Sequence, residues 1–167
     1  ERGSLVHSIL ERFVREVQEQ KVVPKHDQPW EEGHSRLLIA LADREFQDAE
    51  NRGVTGKSLL WELVKAEIRS DLHAFLEEDF RIRREYGVSP HSVELAFGNP
   101  RHGRKGSQSV PAVVWSGADS AGLSFRGIVD RVDVAADNER ALVIDYKTGS
   151  SGPFARLDED SVDRGKR

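Results

Sequence analysis

Residues 125–149 read FRGIVDRVDVAADNERALVIDYKTG. Phe125 to Val134 and Ala141 to Tyr146 are rich in β-branched and apolar residues, and Ala136-Asp137-Asn138-Glu139 between them suits a tight turn. The stretch therefore predicts two antiparallel strands. Folding it symmetrically about Asp137-Asn138 sets Asp130 opposite Asp145, with Lys147 on the same strand face as Asp145. Directly opposed residues have Cβ atoms roughly 5 Å apart, so the two carboxylates repel each other. A divalent cation between them reverses the sign, because Mg²⁺ is held by one or two carboxylates together with water and phosphate oxygens. A neighbouring lysine then orients a water or offsets charge developing on a phosphate. The competing reading is an ordinary exposed Asp145–Lys147 pair, contributing about 0–1 kcal/mol. The apolar setting of Ile128, Val129, Val132, Val143 and Ile144 favours the metal reading, since charges there are costly if buried and unpaired.

The chain has 167 residues, 37% of them hydrophobic and 32% charged, which suits one helix-rich domain with a modest core. No apolar run is long enough to span a bilayer, and the opening Glu1-Arg2-Gly3-Ser4 leads into an amphipathic segment instead of a signal-peptide pattern. Cysteine is absent, which excludes disulfides and thiolate metal sites. Methionine is absent too, even at position 1, so the chain is expected to be a piece of a larger protein. The net charge of −4 argues against strong autonomous binding to DNA, although metal ions can still mediate contact at a site.

Along the chain, Gly3 to Gln20 reads as a helix with Ser4 as N-cap and Leu5, Val6, Ile9, Leu10, Phe13, Val14 and Val17 on one arc. His7 lies at the edge of that arc, where a lone histidine is more often a packing residue than a ligand. Lys21 to Trp30 is a linker with Pro24 and Pro29, and Glu31 to Arg52 is a second helix. Gly56-Lys57-Ser58 imitates a P-loop, but Asn51 stands where a glycine is needed and the preceding segment is helical. The better reading is that Gly53 ends one helix and Thr55 or Ser58 starts the next. Lys57 to Tyr86 is the longest helical pattern, with Leu59, Leu60, Leu63, Val64, Ile68, Leu72, Phe75, Leu76 and Phe80 inward, Trp61 partly buried and Gly87 as terminator. His73 and Glu77, four apart, read as a surface pair. Ser89 to Phe97 alternates as a strand carrying Glu94, by itself an exposed strand carboxylate. Gly98 to Ser109 is a loop with the only compact basic patch, Arg101, Arg104 and Lys105, either a phosphate contact or a solvated loop. Val110 to Trp115 reads as a third strand and Ser116 to Gly122 as a turn.

Taken together, Gly127-Ile128-Val129-Asp130-Arg131-Val132-Asp133 and Asp145-Tyr146-Lys147-Thr148-Gly149 resemble the RecB-family nuclease domain, a branch of the PD-(D/E)xK nucleases found in AddAB and AdnAB types of bacterial helicase–nuclease. The pair is fairly specific, whereas Asp-x-Lys alone is common by chance. The resemblance extends to Gly3-x-x-x-His7, since the family's helical histidine binds the metal beside the two acids. It also extends to Val93-Glu94-Leu95-Ala96-Phe97, where the family carries an acid, making Glu94 a candidate outer-layer or second-metal acid.

The resemblance implies an α/β fold with a restriction-endonuclease-like core: a small mixed sheet with a central antiparallel hairpin, preceded by and packed against helices. It implies a single nuclease-like domain over 1–167, helical at about 3–87 and sheet-forming at about 89–149; the tail at 150–167, broken by Ser150-Ser151-Gly152-Pro153 and then poor in apolar residues, reads from its own composition as mobile. The implied activity is hydrolysis of DNA phosphodiesters by the exonuclease module of a helicase–nuclease in break repair. Asp130, Asp145 and Lys147 would be catalytic, and Mg²⁺ or Mn²⁺ would be held by His7, Asp130, Asp145 and the Tyr146 carbonyl. Single-stranded DNA ends and helicase domains are the implied partners, with no membrane, in a bacterial cytoplasm. The cysteine-ligated iron–sulfur cluster of some members is ruled out here. The family's Gln-x-x-x-Tyr helix does not follow Lys147, and this motivates an alternative: an idle nuclease fold that guides DNA or scaffolds a repair complex.

Overall fold

The computed structural model describes residues 2–98, 109–115 and 122–148. Helix α1 (Arg2–Glu19) places Val6, Ile9, Leu10, Phe13, Val14 and Val17 in the core, as its three- and four-residue spacing requires. The helix already includes Ser4, which is exposed within the first turn and is not its N-cap. Helix α2 (Glu32–Asn51) starts after Glu31, whose backbone N–H donates to His34 Nδ1 (3.0 Å). It packs Leu38, Leu41, Ala42, Phe46 and Ala49 on α1.

Helix α3 (Ser58–Tyr86) ends where predicted, with Gly87 at φ 65° and its N–H bonded to the Arg83 carbonyl. Its buried side is narrower than the sequence suggested. Trp61, Ile68, Leu72 and Leu76 are buried, but Leu59, Leu60 and Leu63 are 74, 57 and 56% exposed. At 3.6 residues per turn, these three leucines stand about 80–180° away from Ile68, outside the arc that faces α1 and α2. Apolar identity did not reveal this, because the helix is apolar around more of its circumference than its neighbours cover.

The sheet has strand order β2-β1-β5-β6. Strand β1 (Val88–Phe97) lies antiparallel to β5 (Gly127–Ala135) and parallel to β2 (Ser109–Val110), and β5 lies antiparallel to β6 (Ala141–Ile144). The expected strand at Val110 to Trp115 is in fact divided. Pro111, which has no N–H to give a ladder, separates β2 from β3 (Val113–Trp115), and β3 pairs with β4 (Leu123–Phe125) in a second, two-stranded sheet. Phe125 thus belongs to β4, and β5 begins two residues later. At that junction Gly98 (φ 72°) is packed so closely that a Cβ would fall 2.7 Å from Arg126 Cβ.

The turn at 136–139 closes the β5–β6 hairpin through Asn138 N–H to Ala135 O (2.9 Å) and Ala135 N–H to Arg140 O (3.0 Å). Asn138 has the left-handed φ of 61° that asparagine tolerates. Helices and small mixed sheet form the expected restriction-endonuclease-like α/β arrangement. The helices carry most of the apolar core, which Val93 of β1 joins. Among the described residues no helix is long and apolar enough to cross a membrane.

Candidate metal centre

The hairpin register is the predicted one. Arg131 faces Ile144 and Val132 faces Val143, so one further step brings Asp130 level with Asp145, immediately past the end of β6. Across the other ladder Val93 faces Arg131 and Leu95 faces Val129, which brings Glu94 level with Asp130. Three acids therefore lie in one row across β1, β5 and the end of β6. The row is irregular at Glu94, whose φ of 49° is left-handed within a strand. Such a conformation costs an L-residue about 1–2 kcal/mol, and strain of this kind clusters at functional sites.

Helix α1 brings His7 to the row. Its Nε2 lies 2.6 Å from the Tyr146 carbonyl oxygen, and its Nδ1 lies 3.6 Å from Asp130 Oδ1. A carbonyl only accepts, so Nε2 carries the proton. Nδ1, on the other side of the ring, faces the Asp130 carboxylate. The other Asp130 oxygen accepts from the Tyr146 N–H (2.6 Å). His7, Asp130 and the Tyr146 main chain are thus one bonded group. Gly3 permits the close approach of α1, since a Cβ there would meet the Thr148 hydroxyl at 3.0 Å.

Asp145 and Lys147 form a separate pair, Nζ to Oδ2 at 2.5 Å, with both side chains more than half exposed. The hydrogen bond to Asp145 raises the Lys147 pKa against desolvation, and the charges of Asp145 and Asp130 add to the rise. Among the described residues, no three His, Asp or Glu side chains are gathered into a ready-made cage. The donor set is nevertheless the right chemistry for a hard divalent ion: two carboxylates, an imidazole and a carbonyl that retains a second lone pair. Beside it, Arg2, Val6, Phe75, Asp79, Tyr146 and Lys147 help line a groove of about 580 Å³ between α1, α3 and the end of β6. Arg101, Arg104 and Lys105 lie outside the described residues.

Behind the group lies a feature the sequence reading missed. Arg131 is fully buried and forks onto Asp133, Nε to Oδ1 and Nη2 to Oδ2 at 2.6 Å each. Nη2 also donates to Asp79 Oδ1 of α3, and Nη1 reaches the Tyr146 hydroxyl at 3.4 Å. The other Asp79 oxygen accepts from Trp30 Nε1 (2.6 Å) and Arg83 Nε (2.8 Å). Arg83 lies over the Trp30 ring and donates to the Lys25 and Gln28 carbonyls at 2.9 and 3.2 Å. Two cations and two anions, all nearly inaccessible, thus join the 24–30 linker, α3, β5 and Tyr146. Burial opposes the charge of Arg131, but its bond to Asp133 and the surrounding negative groups hold its pKa above its ordinary value. Burial pushes the Asp133 carboxyl up and the Tyr146 phenol up to about 12. One signal was available: Asp79 and Arg83 fall on the apolar arc of α3, where a solvated charge does not belong.

A family model described as the PD-(D/E)XK nuclease superfamily matches residues 1–161. The chain belongs to the PD-(D/E)XK nuclease superfamily. No curated protein and no solved structure matches it.

Proposed function

We propose that the chain is a RecB-type nuclease domain that hydrolyses DNA phosphodiesters with Mg²⁺ or Mn²⁺. The observation that supports this best is the group made by His7, Asp130 and the Tyr146 main chain, with Asp145 level with Asp130 in the hairpin register. His7, Asp130, Asp145 and the Tyr146 carbonyl would hold the ion, and Glu94 stands in the same row as an outer or second-ion acid. When bound, the ion polarises the phosphoryl oxygens and acidifies a water. The Tyr146 N–H keeps the Asp130 carboxylate oriented. Lys147, already drawn toward both acids, exchanges its bond to Asp145 for the attacking water or a phosphate oxygen and offsets charge developing there. The groove beside it gives a strand room to lie across α1 and α3, with Arg2 and Lys147 among the cations that line it.

On this reading the domain, taken as one unit over 1–167, is the exonuclease module of a bacterial helicase–nuclease acting on single-stranded ends in break repair. Helicase domains deliver the strand, which fits a net charge of −4. Arg101, Arg104 and Lys105 are further candidate phosphate contacts. The alternative is an idle nuclease fold that guides DNA or scaffolds a repair complex. It is favoured by the Asp145–Lys147 pair, which occupies the two side chains the chemistry needs.

Calorimetric titration with Mn²⁺, on the native chain and on Asp145→Ala, separates the two. Saturable binding that vanishes in the variant supports the nuclease reading, and absence of binding to the native chain supports the idle module.

A further inference from the structure

The buried charges behind the candidate centre touch none of the atoms assigned to the ion, yet they end on the hydroxyl of Tyr146, whose carbonyl is one of them. Tyr146 is held on several sides. Its N–H is bonded to Asp130, its carbonyl to His7 and its hydroxyl to Arg131. Its ring packs edge-on against Phe75 of α3 and against His7, each at 5.9 Å. It also stands between Asp145 and Lys147 in sequence, so its orientation sets theirs. Strand β6 ends at Ile144, and residues 145–148 therefore have no ladder to hold them in place. The task falls to the Tyr146 side chain and to whatever fixes Arg131.

Arg131 is unusually well fixed. Its fork onto Asp133 and its bond to Asp79 use both edges of the guanidinium, and Asp79 is itself held by Trp30 and Arg83. An apolar core would stabilise the fold at least as well as a buried ionic network often does. A planar guanidinium clamped by two carboxylates supplies direction instead.

We infer that Asp79, Arg131 and the Tyr146 hydroxyl form a positioning clamp that aims the Asp145-Tyr146-Lys147 segment at His7 and Asp130. The inference rests on the nuclease reading for its purpose, but the clamp itself is testable without metal. The clamp residues are positioning residues: they act through the Tyr146 backbone, not on the reacting atoms.

The test is amide hydrogen exchange together with Mn²⁺ calorimetry on the native chain, Tyr146→Phe and Asp79→Asn. Tyr146→Phe removes only the hydroxyl and keeps the ring packing, so it leaves the core intact even if Asp79→Asn fails to fold. In Tyr146→Phe the amide at position 146 should exchange about tenfold faster while the amides of Ile9 and Phe13 in the core of α1 keep their native rates. The Mn²⁺ dissociation constant should rise about tenfold, the scale on which outer-layer partners act on a metal site. Native exchange at position 146 in Tyr146→Phe overturns the clamp, and so does a uniform acceleration of all amides, which would mark a merely structural bond. Absence of Mn²⁺ binding to the native chain overturns the nuclease reading instead, and the exchange rates still decide the clamp.

Discussion

Lys147 and Asp145 are each other's partners, and this has an asymmetric consequence. Lys147→Ala removes the cation meant for the transition state but also frees the Asp145 carboxylate for the ion. DNA cleavage should fall by about 10²–10³, whereas Mn²⁺ affinity should hold or rise; gel assays and calorimetry on the same preparation check both. A variant losing both in parallel would mean that Lys147 acts structurally. Glu94 makes a second residue-scale case. Glycine relieves its left-handed φ of 49° but adds entropy to the unfolded chain, so Glu94→Gly should change stability by less than about 1 kcal/mol. Its Mn²⁺ affinity should nevertheless drop if the carboxylate serves the ion. Urea denaturation gives the first quantity and calorimetry the second.

At the scale of elements, α3 carries two opposite lessons. Its end is set locally by Gly87, which takes φ 65°, and is then covered by the distant Arg140 of the hairpin, which donates to the Tyr86 carbonyl (3.2 Å). A Cβ at position 87 meets only the Arg140 guanidinium at an ordinary 3.5 Å, so the cost of Gly87→Ala is conformational, about 1–2 kcal/mol, readable as a lower urea midpoint at unchanged slope. Its start is set by neighbours it lacks. Leu59, Leu60 and Leu63 are exposed, so Leu60→Ser should shift stability by no more than about 0.5 kcal/mol. Leu72→Ala, in the core, should cost about 2–5 kcal/mol.

Across the whole molecule, the buried network binds parts that are distant in sequence. Asp79→Ala strips a shared carboxylate from two buried guanidinium groups and should destabilise the fold by about 3–5 kcal/mol, measured by urea unfolding. Alkaline stability follows from Tyr146. Its phenol is pushed up to about 12 by burial, so the unfolded chain loses that proton first as pH rises past about 10. Folding stability from this group is therefore complete at neutral pH and declines from about pH 10 toward 12. The late phase of a spectrophotometric tyrosine titration should disappear in Tyr146→Phe.

What the sequence determined is what depends on near neighbours. Turn chemistry at Asp137-Asn138 and the symmetric count outward from it set the hairpin register, and with it the Asp130–Asp145 opposition. Three-residue and four-residue spacing set α1, and a glycine set the end of α3. What only the tertiary structure decided is which faces are covered and which charges are buried. Leu59 and Leu72 are the same residue type in one helix, and only the placement of α1 and α2 separates them. The apolar arc of α3 marks Asp79 and Arg83 as out of place in water, but nothing local to them or to Arg131 names their partners. They become a buried, balanced set because α3, β5 and the linker converge, and a charge leaves water only where opposite charges from elsewhere in the chain meet it.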